Sequence, residues 1–265
     1  MSDQEHPELG QVLAAVRSAG TQATGSAWTV TREVAALDHL THHLGRERYL
    51  PPLGGWSIDY STLAYLLDLL RRRGRPVRLL ELGSGAGTPW TASIVAHVGG
   101  EMISVEHDEE FTSSTQALLE HYDLTDTCRV VHAPLTTFDP DHADDATEGP
   151  AEEATRWYSV PAILDALEDT PVDVLVVDGP PGTTAPLARR PALTVLVGHL
   201  ADGAIVLLDD TVRDEEQEIF RLWQEELGAR FRPLPRVATR ARAATYHRPE
   251  HVTGTSTGTS PREHP

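Results

Sequence analysis

The sequence predicts an α/β fold built on a mostly parallel sheet of seven strands, whose last two strands form an antiparallel hairpin. From about residue 77 to residue 227, short apolar runs that suit buried strands alternate with segments of helical periodicity. Near-continuous apolar strands separated by helices are typical of a parallel sheet covered on both faces. Residues 229–249 contain two strand-like runs without a helix between them, so these two strands are expected to pair antiparallel.

Two helices are predicted before the sheet, in an N-terminal helical extension or lid that spans residues 1–75. Residues 1–25 are polar and lack a clear period, so a loose start is expected. A helix is predicted over Trp28–His43, where apolar residues recur along one side. A second helix is predicted to begin after Asp59, an N-cap residue, and to end at Gly74.

The sheet is expected within a catalytic domain of residues 76–248. Its first five strands are predicted at Val77–Leu82, Met102–Val105, Cys128–His132, Val172–Val177 and Ala204–Leu208. Helices are predicted at Pro89–His97, Glu109–Tyr122, Val160–Leu167, Ala192–Leu200 and Asp214–Leu227. An acidic insertion at Asp139–Thr155 is expected to be an exposed loop, and the Thr/Ser/Gly-rich tail of residues 249–265 is expected to be disordered.

The composition disfavours several classes of function. A formal net charge of −18 disfavours nucleic acid as the main partner, because an acidic surface repels phosphate backbones. No apolar run approaches the roughly 18 residues of a membrane span, and the N-terminus is polar and acidic, unlike a signal peptide. The single cysteine, Cys128, leaves no internal disulfide or cysteine cluster, so a cytoplasmic location is expected. Because the sequence contains no lysine, a lysine base or Schiff base is excluded.

A glycine-rich loop follows the first strand in the sequence LLELGSGAGTPW. Bare backbone at Gly83, Gly85 and Gly87 would let N–H groups approach a bound nucleotide. The spacing G-x-G-x-G differs from the G-x-G-x-x-G of dinucleotide-binding folds, and Glu81 precedes it by two residues. A second acid, Glu106, ends the second strand 19 residues after Gly87, where a carboxylate can accept hydrogen bonds from both ribose hydroxyls.

These features resemble the first two motifs of class I S-adenosylmethionine-dependent methyltransferases. The resemblance implies a Rossmann-like fold and S-adenosylmethionine as the cofactor. It implies that the loop residues wrap the methionine and ribose, that Glu81 lies near the methionine amino end and that Glu106 holds the ribose. The full set of expected cofactor-binding residues is Glu81, Gly83, Ser84, Gly85, Gly87, Glu106, His107, Ala133, Pro134 and Asp178, of which Ala133 and Pro134 stand where family members place the adenine.

Three aspartates follow the fourth and fifth strands, in VLVVDGPPG and AIVLLDDTVR. Because the carboxyl ends of parallel strands meet at one edge of a sheet, Asp178, Asp209 and Asp210 should converge beside the glycine loop. Like charges so close repel unless protons or a cation intervene, and a set of oxygen ligands suits Mg²⁺. The arrangement resembles metal-dependent O-methyltransferases of the catechol, macrocin and mycinamicin types. That resemblance implies that the three aspartates bind Mg²⁺ and that Asp178 takes part in catalysis.

The general base stays open at this stage. Catechol-type enzymes carry a lysine shortly after the fourth-strand aspartate, whereas this chain has DGPPG there. The candidates are His107, His132, an aspartate tuned by arginine, or the metal alone. Without a metal, Asp178 would bind substrate and Asp209–Asp210 would cap a helix.

The substrate side is predicted around the loop that precedes the first strand. Trp56 and Tyr60 either stack on an aromatic or sugar substrate or seat the following helix on the core, and Ser57 is a candidate contact of the cofactor carboxylate. Arg189 and Arg190 either bind an anionic substrate or neutralise the acidic edge.

The function predicted is Mg²⁺-assisted O-methylation of a hydroxyl on a small molecule, such as a natural product or a sugar. The alternatives are a metal-independent N- or carboxyl-methyltransferase acting on a small molecule or peptide, aminopropyl transfer from decarboxylated S-adenosylmethionine, and a non-catalytic S-adenosylmethionine-binding module. A homodimer formed through the N-terminal helices is a further expectation.

Overall fold

The structure is a computed structural model that describes residues 7–45, 50–138, 155–236, 238 and 240–249; of residues 7–25, 138 and 155 it describes the backbone alone. The helices are α1 (Pro7–Leu44), α2 (Tyr60–Arg73), α3 (Thr88–His97), α4 (Glu109–His121), α5 (Val160–Leu167), α6 (Pro191–Leu196) and α7 (Asp214–Leu227). The strands are β1 (Arg78–Leu82), β2 (Glu101–Glu106), β3 (Cys128–His132), β4 (Leu135–Phe138), β5 (Thr155–Tyr158), β6 (Val172–Val177), β7 (Leu200–Leu208), β8 (Phe231–Pro233) and β9 (Arg242–Tyr246).

Seven strands form the main sheet in the order β3-β2-β1-β6-β7-β9-β8. The first five strands in this order run parallel, while β9 pairs antiparallel with both β7 and β8. This topology confirms the predicted α/β fold with an antiparallel last hairpin. The strand order reverses between β1 and β6, and α/β folds place their ligands at the carboxyl ends of the strands beside such a point.

Both faces of the sheet are covered, as the apolar strands predicted. Alternate residues of a strand point to opposite faces, so Leu79 packs with the α2 side of the core and Leu80 packs with the side that contains Trp223 of α7. Helix α2 begins at the predicted cap, where the Asp59 carboxylate accepts a hydrogen bond from the Thr62 N–H, and it ends at Gly74 with a φ of 64°.

The start of the chain differs from the prediction. Helix α1 begins at Pro7 instead of near Trp28, so the loose start expected over residues 1–25 is wrong for residues 7–25 and lies outside the described residues before them. No proline follows Pro7 in this helix, and alanine, leucine and glutamine support helix without a strict apolar period. Only part of the predicted apolar side is buried, since Leu40 is inaccessible to solvent but Val30 and Val34 are exposed. The boundary at residue 75 stays a prediction.

A small second sheet was not predicted. Strands β4 and β5 pair antiparallel, with Leu135 opposite Tyr158 and Phe138 opposite Thr155. Strands of four residues are at the lower limit for a readable period-two pattern, so periodicity alone did not predict them. Residues 139–154 of the acidic insertion and residues 250–265 of the tail lie outside the described residues. Among the described helices, none combines the length and apolar character that crossing a bilayer requires.

Candidate active site

A cavity of about 610 Å³ lies at the carboxyl ends of β1, β2, β6 and β7. The glycine loop and the loop before α2 both line it, and Ile58 of the second loop lies against Gly87 of the first. The lining includes Trp56, Ser57, Ile58, Glu81, Gly83, Ser84, Gly85, Ala86, Gly87, Glu106, His107, Phe111, Tyr158, Asp178, Gly179, Thr183, Arg189, Asp210 and Arg213. The structure therefore brings most of the predicted cofactor-binding residues to one cavity.

Two glycines show why the loop needs bare backbone. Gly83 has a φ of 97°, and a Cβ there would lie 3.0 Å from the backbone carbonyl carbon of Asp178, so a side chain would meet both strain and a neighbouring strand end. A Cβ on Gly85 would meet no atom within 4 Å, because this residue borders the open cavity. Gly85 thus leaves room for a ligand close to the backbone, as a nucleotide-binding loop requires.

Glu106 is fixed at the end of β2 by several hydrogen bonds. Its Oε2 accepts from the Ser84 N–H at 3.0 Å and the Ser84 hydroxyl at 3.2 Å, and its Oε1 accepts from the N–H groups of His107 at 2.8 Å and Asp108 at 3.0 Å. The His107 Nδ1 lies 2.7 Å from Oε1. Burial alone would raise the pKa of Glu106, but these contacts lower it below its ordinary value, and Glu106 in turn raises the pKa of His107. The geometry presents an ionised acid to the cavity.

Glu81 differs from Glu106 in that its pKa is raised instead of lowered. Its Oε2 accepts hydrogen bonds from the Thr88 hydroxyl at 2.7 Å and the Ser104 hydroxyl at 2.6 Å, inside the protein. Burial raises the pKa of Glu81 to about 7, although these hydroxyls oppose the shift. A cation near this carboxyl, such as the amino group expected there, would favour its ionised form.

The three aspartates converge as their positions in the sequence predicted. One carboxylate oxygen from each of Asp178, Asp209 and Asp210 lies within 4.8 Å of the others. Asp209 is inaccessible to solvent, and neither of its oxygens accepts a hydrogen bond of ordinary geometry within the part of the chain that is described. Burial, with repulsion from Asp210, raises the pKa of Asp209 to about 6, and burial with repulsion from Asp209 raises the pKa of Asp178.

Unlike Asp209, Asp210 is in contact with three arginines. Arg189 Nη2 lies 3.2 Å from its Oδ2 and 3.3 Å from Asp178 Oδ1, Arg213 Nη2 lies 2.9 Å from the same Oδ2, and Arg240 contacts its Oδ1. Burial would raise the pKa of Asp210, but these guanidinium groups lower it. Of the two roles considered for Arg189, the geometry favours neutralisation of the acidic edge.

The acidic cluster has the donor set of a divalent-cation site. All its ligand atoms are carboxylate oxygens, and the two oxygens of Asp209, which lack an ordinary hydrogen bond within the described residues, would be satisfied by a proton or a cation. Asp210 is less available because arginines already contact both of its oxygens. The residues therefore fit such a cation, with Asp178 and Asp209 as the readier donors.

Some predicted residues are placed elsewhere. Ala133 and Pro134, both within the described residues, are not among those that line the cavity; Ala133 is fully buried, and its N–H donates to the Glu106 carbonyl at 2.7 Å. Tyr60 packs edge-on against Trp90, with 5.4 Å between the ring centroids. Of the two roles considered for Tyr60, the structure therefore favours seating the helix on the core. Trp56 is 78% exposed and lines the cavity, so it does not seat the helix.

Sequence reasoning missed several residues of the site. Tyr158 and Phe111 line the cavity, and Arg213 and Arg240 contact the acidic cluster. Phe111 carried a signal, because it stands in the first turn of the helix after Glu106, close to the predicted ribose site. Arg240 carried none, since it reaches Asp210 from 30 residues away.

Comparisons with known proteins identify a domain family and similar folds. Residues 80–211 match a family model described as a methyltransferase domain. The fold is similar to a methyltransferase from Podospora anserina bound to S-adenosylhomocysteine, with a TM-score of 0.55 and 15% identity over 85% of this chain and 96% of that chain. It is also similar to an O-methyltransferase from Bacillus cereus in complex with S-adenosylhomocysteine, with a TM-score of 0.50 and 16% identity over 81% of this chain and 91% of that one. No curated protein matched the sequence.

The matched segment begins in β1 and ends just after the aspartate pair, so it contains the glycine loop, Glu106 and all three aspartates. The family model and the fold thus agree with the motifs on which the sequence-based prediction rested. Residues 80–211 form a methyltransferase domain, and the chain is a class I S-adenosylmethionine-dependent methyltransferase.

Proposed function

We propose that this enzyme methylates a hydroxyl oxygen of a small molecule and that a divalent cation, Mg²⁺, assists the reaction at the acidic cluster. The observation that carries the proposal is the position of the cluster. Asp178 and Asp210 line the same cavity as the glycine loop, and beside them lies the buried carboxylate of Asp209, whose oxygens accept no ordinary hydrogen bond within the described residues.

The chain's own residues have distinct parts in this proposal. Bound S-adenosylmethionine supplies an electrophilic methyl group, and a cation held by Asp178, Asp209 and Asp210 supplies positive charge that lowers the pKa of a hydroxyl. The glycine loop and Glu106 would hold the cofactor, and the cavity walls would exclude water and orient the acceptor. Because methyl transfer is a displacement, alignment of the two partners accounts for much of the rate enhancement.

Asp178 is the better candidate for a catalytic role than His107. The charged groups that act on His107 are Glu106, Asp108 and Arg156, whereas those that act on Asp178 are Asp209, Arg189, Asp210 and Glu81. His107 therefore belongs to the Glu106 side of the cavity, where a role in cofactor binding suits it. Its raised pKa also leaves a smaller fraction of its imidazole unprotonated, and so available as a base, near neutral pH.

Calorimetric titration tests this function. The wild type is titrated with S-adenosylhomocysteine and with Mg²⁺, in buffer treated first with EDTA. We expect nucleoside binding and a separate Mg²⁺ signal that Asp209→Asn removes. The matched control is Asp173→Asn, at the other end of β6, whose carboxylate pairs with Arg73 and Arg75 outside the cavity. Magnesium binding retained in Asp209→Asn would contradict the metal site, and methyl transfer unaffected by EDTA would contradict its role.

A metal-independent enzyme that methylates nitrogen or a carboxyl group is the second candidate. One observation favours it: arginines already contact both oxygens of Asp210, so the cluster is partly neutralised without a metal. In that case Asp209 would carry a proton, and activity would persist in EDTA. The titration separates the two candidates through the Mg²⁺ signal, which only the metal-dependent enzyme should give, and an assay of methyl transfer in EDTA separates them by activity.

The remaining expectations stay proposals. A small-molecule acceptor suits a cavity of about 610 Å³, and the net charge of −18 supports a partner other than nucleic acid. The free, buried Cys128 is compatible with a cytoplasmic protein. A homodimer through α1 draws on the exposed Val30 and Val34, and sedimentation velocity would test it.

A further inference from the structure

Tyr158 has a buried hydroxyl that finds no hydrogen-bond partner among the described residues. This residue ends β5, is inaccessible to solvent and lines the cavity. Within the described residues, its hydroxyl oxygen makes no hydrogen bond. Buried hydroxyls in proteins nearly always have a partner, and one without a partner costs free energy of folding.

The hydroxyl lies beside two backbone segments that line the cavity. A Cβ added to Gly179 would be 2.2 Å from the Tyr158 oxygen and 2.9 Å from the Gly83 Cα, so the hydroxyl lies close to the glycine loop and to the end of β6. The charged groups that act on it are Glu106, Arg189, Asp178 and Glu81. It is thus placed between the acid expected at the ribose and the aspartate expected at the acceptor.

The hydroxyl is a donor throughout the working pH range. Burial, followed by repulsion from Glu106, raises the pKa of Tyr158 far above its ordinary value, so the phenol keeps its proton. A neutral phenol can donate one hydrogen bond to an acceptor oxygen. S-adenosylmethionine has such oxygens on its ribose and on its carboxylate.

We propose that Tyr158 positions S-adenosylmethionine by donating a hydrogen bond to one of these oxygens, on the ribose or on the methionine carboxylate. This inference rests on the cofactor position proposed above. It makes Tyr158 a residue whose hydroxyl is unsatisfied before the cofactor binds and satisfied afterwards.

The proposal predicts opposite effects on stability and on binding. In Tyr158→Phe, the loss of an unsatisfied hydroxyl should leave the ligand-free protein as stable as the wild type or more stable. Affinity for S-adenosylhomocysteine should fall about tenfold, the scale of one lost hydrogen bond. If the hydroxyl had a partner within the protein, its removal would instead lower the stability and leave the affinity for S-adenosylhomocysteine unchanged.

The chain offers such a case as a matched control. Tyr65 is also buried, but its hydroxyl donates to the Pro235 carbonyl at 3.0 Å, far from the cavity lining. Tyr65→Phe should lower the thermal midpoint of the ligand-free protein by about 2–4 °C and leave affinity for S-adenosylhomocysteine unchanged.

The experiment measures both variants and the wild type by calorimetric titration with S-adenosylhomocysteine and by thermal unfolding without ligand. Weaker binding with an undiminished midpoint in Tyr158→Phe supports the proposal. Wild-type affinity in Tyr158→Phe, or a midpoint lowered as in Tyr65→Phe, overturns it while leaving the proposed function intact. A wild-type protein that does not bind S-adenosylhomocysteine overturns the cofactor position together with the proposal.

Discussion

Asp209 and Asp210 are neighbours in the chain, yet their carboxylates have opposite surroundings. Arginines contact both oxygens of Asp210, whereas the oxygens of Asp209 accept no ordinary hydrogen bond within the described residues. The backbone changes direction between them, since Asp210 has a φ of 58°, in the left-handed region that few residues other than glycine adopt. Unusual backbone of this kind is often found at functional sites.

The first prediction is that removing the two charges has opposite effects on stability without metal. Asp210→Asn should lower the free energy of unfolding by about 1.5–3 kcal/mol, because Arg189, which is 4% exposed, would keep only Asp178 and Glu216 as acidic partners. Asp209→Asn should leave that free energy unchanged or raise it, because an unsatisfied buried charge disappears. Urea unfolding in EDTA measures both. A loss in Asp209→Asn as large as in Asp210→Asn would mean that Asp209 has a partner.

The second prediction concerns pH and Glu81. Its pKa of about 7 in the folded chain exceeds its ordinary value of 4.5, so the folded state binds more protons between these two values. The free energy of unfolding should therefore fall as pH rises from 4.5 to 7, by about 3 kcal/mol from this group. Glu81→Gln should remove that part of the pH dependence in urea unfolding of the ligand-free protein. If the free energy of unfolding of Glu81→Gln changed with pH between 4.5 and 7 as it does in the wild type, the pH dependence would belong to another group.

The third prediction concerns the ribose site. Glu106→Gln should weaken binding of S-adenosylhomocysteine by about 1–3 kcal/mol, the scale for hydrogen bonds to a charged group. Glu101→Gln is the matched control, because Glu101 begins the same strand and is exposed outside the cavity. Calorimetry on both variants gives the comparison. Equal affinities for the two variants would remove Glu106 from the cofactor site.

The fourth prediction concerns the loop itself. In Gly85→Val the side chain would extend into open cavity, so the protein should fold normally and bind S-adenosylhomocysteine at least tenfold more weakly. Gly198→Val is the control, since a Cβ there also meets no atom within 4 Å but the residue does not line the cavity. Thermal unfolding with titration measures both variants. Normal affinity in Gly85→Val would show that the cofactor keeps clear of this glycine.

Local patterns predicted the fold and much of the site. Strand ends in a parallel sheet meet at one edge, so the positions of Glu106, Asp178 and Asp209 in the sequence were enough to bring them together. Tyr158 could not be found in this way, because β5 has four residues and pairs only with another strand of four. Arg240 could not be found either, since its contact depends on how a distant segment returns to the sheet.

The β4–β5 hairpin has a consequence for the evolution of the family. Phe138 pairs with Thr155, so the chain leaves and rejoins this small sheet at adjacent positions, and Tyr158 stands at the opposite end of β5. A change in the number of residues between these two positions should therefore leave Tyr158 in its place at the cavity. We expect the distance in sequence between the third strand and the Trp-Tyr pair to vary widely among related enzymes that keep the same chemistry.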